Sequence, residues 1–194
     1  MKKIVCYGDS NTFGYDPKSF SLRYPEDIRW TGLLRDAGYD VINMGMNGRE
    51  IPVYEGTMAA LIDQLRGFEP IDLLTVMLGS NDLLMNSGFR AEDAAERMDA
   101  LMDRLRGELP KQRILLISPN PVNEGLWVRE KRLKTESRRM AECYRPIAEK
   151  YGAYFADSSN WNVGTGSDGV HFTEQGHRNF ADGLEKVLTE IFAD

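Results

Sequence analysis

Short apolar runs recur along the chain at intervals filled by helix-period stretches. Ile4–Tyr7, Val41–Met44, Ile71–Leu78, Ile114–Ile117 and Tyr154–Ala156 read as strands. The central runs are continuous rather than alternating, as in parallel strands covered on both faces. Between them the spacing predicts helices at about residues 26–37, 56–66, 90–106 and 131–151, with a last helix at about 174–192. In the third, Ala94, Met98, Leu101, Met102 and Leu105 form one stripe. Glu92, Asp93, Glu96, Arg97 and Arg104 lie opposite, and Gly107 is the expected stop. This alternation predicts an α/β domain of three layers with right-handed crossovers. Ligands of such sheets bind at the carboxyl ends of the strands, so residues there carry the most information.

A length of 194 residues predicts a single domain over residues 1–194. The formal charge of −6 and pI near 5.1 argue against a nucleic-acid groove, which needs a basic stripe. The densest basic stretch is Arg129, Lys131, Arg132, Lys134, Arg138 and Arg139. With Glu130 and Glu136 between them, it reads as a solvated helix face held by i,i+4 pairs. Cys6 and Cys143 fall in apolar or helical patterns and are expected as buried thiols, with no metal site and no cofactor implied. The apolar run after Lys2-Lys3 is too short for a secretory signal, and no stretch is long enough to span a membrane. The expected location is cytoplasmic, without membrane partners.

Four strand ends carry candidate chemistry. After the first comes Gly8-Asp9-Ser10-Asn11-Thr12-Phe13-Gly14, where a serine on a strand-to-helix turn suits a nucleophile or, equally, a helix cap. After the second comes Asn43-Met44-Gly45-Met46-Asn47-Gly48-Arg49, whose glycines allow close backbone approach to a ligand. After the third comes Gly79-Ser80-Asn81-Asp82, where the Asn81 amide can face a developing negative charge. Before the last helix stands Asp168-Gly169-Val170-His171, with Thr173 as the expected N-cap. A carboxylate three residues before an imidazole can hold Nδ1 and leave Nε2 as a general base. His177 lies six residues further on and reads as a surface helix residue. Together these are the components of acyl transfer: nucleophile, base, base-orienter and oxyanion donors.

Gly8-Asp9-Ser10, Gly48, Gly79-x-Asn81-Asp82 and Asp168-x-x-His171 resemble, in order and spacing, the blocks of the GDSL or SGNH hydrolase superfamily. The resemblance implies a flavodoxin-like fold with a five-stranded parallel sheet. It also implies Ser10 as nucleophile, His171 as base and Asp168 as its orienter, with an oxyanion hole made by Ser10, Gly48 and Asn81. Gly45 is the alternative to Gly48. Arg29–Leu34, Val76–Asp82 and Asp168–Glu174 are similar to the bacterial arylesterase and acyltransferase branch. That branch acts on short acyl esters and commonly assembles through insertions at the site mouth. Residues 120–134, with Trp127, sit where such an insertion belongs, and Leu126-Trp127-Val128 hints at a homo-oligomer interface. Asn11 replaces the leucine of the GDSL name.

The expected function is therefore a serine carboxylester hydrolase for small acetyl-type esters. Acyltransferase, carbohydrate acetylesterase and lysophospholipase are the alternatives within the class. Expected substrate contacts are Asp9, Met46, Trp127 and Trp161, with Met44 and Met85 as further wall candidates. A flavin-binding or sugar-binding module on the same scaffold is the non-catalytic alternative, though neither has use for the Asp168/His171 pair or Asn81.

Overall fold

The computed structural model describes residues 1–19 and 23–193. Its strands are β1 (Lys3–Gly8), β2 (Asp40–Gly45), β3 (Leu73–Met77), β4 (Ile114–Ser118) and β5 (Tyr154–Asp157). They form one sheet in the order β2-β1-β3-β4-β5, and every neighbouring pair is parallel. The helices are α1 (Ser10–Phe13), α2 (Trp30–Asp36), α3 (Glu55–Gly67), α4 (Ser80–Met85), α5 (Ala91–Glu108), α6 (Lys131–Lys150) and α7 (Glu174–Ala193).

Each central strand is apolar on both sides because both sides are covered. Val5, Tyr7, Leu74, Val76, Ile114 and Leu116 join one buried cluster with α3, α5 and α6. Ile4, Cys6, Leu73, Met77, Leu115 and Ile117 join the opposite cluster with α2 and α7. The α7 stripe of Phe180, Leu184 and Leu188 is fully buried there, each side chain contributing about 1.5–3 kcal/mol of burial. Strand order reverses at β1, between β2 and β3, so the carboxyl end of β1 is the switch point where α/β sheets open a crevice.

All five expected strands form, with ends moved by a few residues. The helix expected at 26–37 begins only at Trp30. Residues 25–29 form a turn, with Ile28 and Arg29 donating to the Pro25 carbonyl. That turn folds back so closely that a Cβ on Gly32 would lie 1.8 Å from the Glu26 carbonyl oxygen. Helix α5 passes Gly107 and stops at Leu109, before Pro110, so proline rather than glycine ends it. Thr173 caps α7 as expected, its hydroxyl accepting from the Gly176 N–H at 3.0 Å.

Three readings are corrected. His177 is completely buried rather than on the surface: its Nδ1 accepts the first N–H of α2, from Trp30, at 3.4 Å. Its ring packs against Tyr24 and Phe172. Burial, helped by the charge of Arg29, pushes its pKa down to about 3, so it stays neutral. The basic stretch is not a free face of i,i+4 pairs. Arg139 bridges α6 to Glu92 of α5, and Arg132 donates to the carbonyls of Phe89 and Leu83. Glu136 is buried and accepts the Ala91 N–H that starts α5. Cys6 is buried as expected, but Cys143 only partly.

Candidate active site

Ser10 is the first residue of α1, directly past the end of β1, and Asp9 caps the turn by accepting the Asn11 N–H at 2.9 Å. The turn is tight enough that a Cβ on Gly8 would lie 2.0 Å from the Thr12 hydroxyl. Asp168 and His171 come from the loop before α7. The Ser10 Oγ lies 2.9 Å from His171 Nε2, and His171 Nδ1 lies 2.8 Å from Asp168 Oδ2. The other Asp168 oxygen accepts the backbone N–H groups of Val170 (2.8 Å) and His171 (2.9 Å). Burial pushes the Asp168 carboxyl up. The bonds from the His171 ring and these two N–H groups outweigh it and leave Asp168 below the ordinary aspartate value. It is therefore an anion facing the imidazole.

Two aromatic rings wall the imidazole. Tyr15 lies 4.3 Å from it between ring centres, and Trp127 meets it edge-on at 5.0 Å. Trp127 is carried by the insertion expected at the mouth, and that insertion is bonded onto the acid loop. Asn123, Leu126 and Trp127 donate to the carbonyls of Gly169, Ser167 and Asp168. The backbones meet so closely that a Cβ on Gly125 would sit 2.3 Å from the Asp168 carbonyl carbon. Gly169 has φ +84°, which glycine alone adopts without strain.

The two remaining strand ends face the serine turn. Gly79 has φ +123°, and a Cβ on it would lie 2.3 Å from Met140 Cε and 2.4 Å from the Tyr144 hydroxyl; α4 starts at the next residue, with Asn81 in its first turn. Asn81 Nδ2 donates to the Arg49 carbonyl at 3.0 Å. Of the two glycines after β2, Gly45 gives its N–H to Asn43 Oδ1 at 2.8 Å. Gly48, at φ +70°, is exposed, and no described hydrogen bond uses its N–H.

The loop that carries Gly48 is held by charges that the sequence analysis did not single out. Arg49 donates to the Gly8 carbonyl at 2.8 Å and also to Met44, with its guanidinium over the Tyr7 ring at 4.3 Å. Asp82 is wholly buried; it accepts from the Ile51 N–H at 3.0 Å and from Arg97 at 2.7 Å. Arg97 also binds Glu50, which takes the Asn86 amide. Arg49 and Asp82 stand at the ends of the quoted motifs, but nothing local said which atoms they would reach.

The expected substrate contacts separate. Trp127 is at the imidazole. Met46 is half exposed and lines a cavity of about 360 Å³ together with Gly48, Arg49, Ile51 and Tyr54. Met85 is exposed at the end of α4, whereas Met44 packs against the core. Trp161 is not brought to the site: its indole lies on Gly183 of α7 and against Phe180. Asp9 is 2% exposed, so its carboxyl faces inward rather than toward a substrate.

With this geometry in view, the model of the GDSL-like lipase/acylhydrolase family matches residues 6–178. The chain belongs to that family. Among curated proteins none matches. Of solved structures, a carbohydrate acetylesterase family member from Sinorhizobium meliloti is 28% identical, with TM-score 0.83 and 100% of both chains covered. The aryl esterase of M. smegmatis is 26% identical at TM-score 0.82, covering 98% of this chain and 99% of that one. Est24, a carbohydrate acetylesterase from Sinorhizobium meliloti, shares the fold at 22% identity and TM-score 0.84, with 98% of this chain and 100% of that one covered. The protein is a carboxylic ester hydrolase of α/β fold. Among the described residues no helix is long and apolar enough to cross a membrane.

The hydrolase keeps one carboxyl where a charge is costly. Burial pushes Asp9 up to about 6, while the Asn11 N–H and the charges of His171 and Arg49 pull it back part of the way. A raised folded-state value stabilises below the unfolded value, and that stability is lost as pH rises through the folded one. The loss falls between about 4 and about 6. Asp9→Asn keeps an oxygen for the Asn11 N–H without the charge. Its urea unfolding free energy is expected to exceed wild type by on the order of 3 kcal/mol at pH 8, converging toward wild type near pH 4. An equal difference at both pH values would refute the buried charge.

Proposed function

We propose that the hydrolase cleaves short acyl esters, acetates foremost, through an acyl-enzyme on Ser10. The observation that carries this reading is the chain of hydrogen bonds from Ser10 Oγ to His171 Nε2 and from His171 Nδ1 to Asp168, at 2.9 and 2.8 Å. Ser10 Oγ attacks the ester carbonyl as its proton passes to His171 Nε2. The carbonyl oxygen becomes an oxyanion held by the N–H groups of Ser10 and Gly48 and by the Asn81 amide. As the intermediate collapses, the C–O bond to the alcohol breaks and His171 returns the proton to the leaving oxygen. Water, or a second alcohol, then attacks the acyl-serine, with His171 again taking and returning a proton. Gly48 rather than Gly45 is the assigned donor because Asn43 already occupies the Gly45 N–H.

Tyr15 and Trp127, crowded against the imidazole, support a small acyl group. The solved arylesterase and carbohydrate acetylesterase folds favour aryl or sugar acetates as the first substrates to try. The test is p-nitrophenyl ester hydrolysis from acetate to decanoate, with a serine-directed phosphonate whose adduct is mapped by mass spectrometry. Activity peaking at acetate with label on Ser10 supports the proposal. A peak at decanoate overturns the acyl size, and label elsewhere overturns the nucleophile. Asn81→Ala is expected to lower kcat on the order of 10²–10³-fold by removing one oxyanion donor. Normal turnover would remove Asn81 from the site.

The large apolar side chains exposed around the mouth, among them Tyr54 (76%), Met85 (65%), Leu126 (64%) and Trp127 (54%), support association of copies there. Sedimentation velocity tests this: wild type is expected as an oligomer, and Leu126→Ser with Trp127→Ser as a smaller species. A monomeric wild type would exclude it.

A further inference from the structure

Ser10 and His171 are 161 residues apart, on elements that share no strand pairing, yet their reacting atoms meet at 2.9 Å. Among the described residues, two hydrogen bonds besides that contact join α1 to residues 168–172, and both belong to Asn11. Its Nδ2 donates to the Val170 carbonyl at 3.2 Å, and its Oδ1 accepts the Phe172 N–H at 3.0 Å. The side chain thus grips the peptide on each side of His171 from the residue that follows the nucleophile.

Asn11 is itself held from behind. Its carbonyl accepts the indole N–H of Trp30 at 2.9 Å, and Trp30 is fully buried at the start of α2. Asn11 is 7% exposed, so it has little surface to offer a substrate. Leucine, which names the family motif at this position, could make neither bond. An amide presents a donor and an acceptor on one rigid plane, which the Val170 carbonyl and Phe172 N–H require in that order.

We propose that Asn11 is a positioning residue that sets the distance and angle between the Ser10 hydroxyl and the His171 imidazole. This rests on the acyl-enzyme reading above. Proton transfer is sensitive to placement, and a shift of about 1 Å can cost on the order of 10²-fold in rate. The Asp168–His171 pair does not depend on Asn11, because its bonds close within one turn of the same loop.

The test compares Asn11→Asp, which keeps the shape but turns an oxygen toward the Val170 carbonyl, with Asn11→Leu, which removes both bonds. With p-nitrophenyl acetate, both variants are expected to lose on the order of 10–100-fold in kcat with KM within about twofold of wild type. The downfield proton NMR signal of the His171 Nδ1–H should persist, because the bond to Asp168 is retained. A kcat within about twofold of wild type in both variants overturns the proposal. So does a loss in which KM rises in step and the Nδ1–H signal disappears, since that marks a residue needed only for folding. Should one variant fail to fold, the other carries the same comparison. If wild type itself neither hydrolyses the ester nor takes phosphonate on Ser10, the acyl-enzyme reading fails, which is distinct from an active wild type matched by its Asn11 variants.

Discussion

Ser10→Ala is expected to lower kcat for p-nitrophenyl acetate on the order of 10⁶-fold while leaving the fold intact. The substitution removes only the Oγ that meets His171, and that oxygen makes no other described hydrogen bond. Neither Asp9, whose carboxyl caps the turn, nor the Ser10 N–H is altered. Loss of the nucleophile leaves the base and its orienter with nothing to activate, so removing Ser10 alone costs nearly as much as removing all three. Residual rate over water should survive through the oxyanion donors. Initial rates of wild type and variant, measured side by side with circular dichroism on both, check this. Equal slow release by the two proteins would mean that Ser10 is no nucleophile.

Asp168→Asn is expected to cost on the order of 10⁴ in kcat at pH 7, through the tautomer of His171. Asp168 presents one oxygen to two backbone N–H groups and the other to the ring. An asparagine would keep its oxygen on the two N–H groups, where an amide nitrogen would be repelled. Its NH2 would then face His171 Nδ1, which must become an acceptor, and the ring proton moves to Nε2. That nitrogen could no longer take the Ser10 proton. KM for the ester should barely change, since Asp168 is buried behind the imidazole. A variant within tenfold of wild-type kcat would reduce Asp168 to a loop-forming residue.

The residues that the structure brings together as Ser10, His171 and Asp168 were legible because their signals are local. A glycine-aspartate-serine turn after an apolar run, and a carboxylate three residues before a histidine, state their chemistry within a few positions. The strands were legible for the same reason: runs apolar on both faces need two covering layers. Where the reading failed, the deciding contact was distant. His177, six residues past His171, read as a surface helix residue, yet α7 turns it inward onto the start of α2. Trp161 looked like a wall of the site, but it packs on a helix glycine of α7.

The residues that hold the site in shape were legible least of all. Asp82, Arg49 and Arg97 reach atoms as far as 31, 41 and 47 residues away, and no periodicity encodes which group they will meet. By itself the sequence determined the five strands and the five longer helices in their order, though not the short α4, together with the parallel sheet, the order of the chemical residues at the strand ends and the family. The tertiary structure alone decided which glycine keeps a free N–H, which aromatic rings reach the imidazole, and which side chain joins the turn of Ser10 to the loop of His171. The physical reason is that propensity and patterning act over a few residues of chain. A hydrogen bond depends instead on distances of tenths of an ångström, set only once the layers have packed.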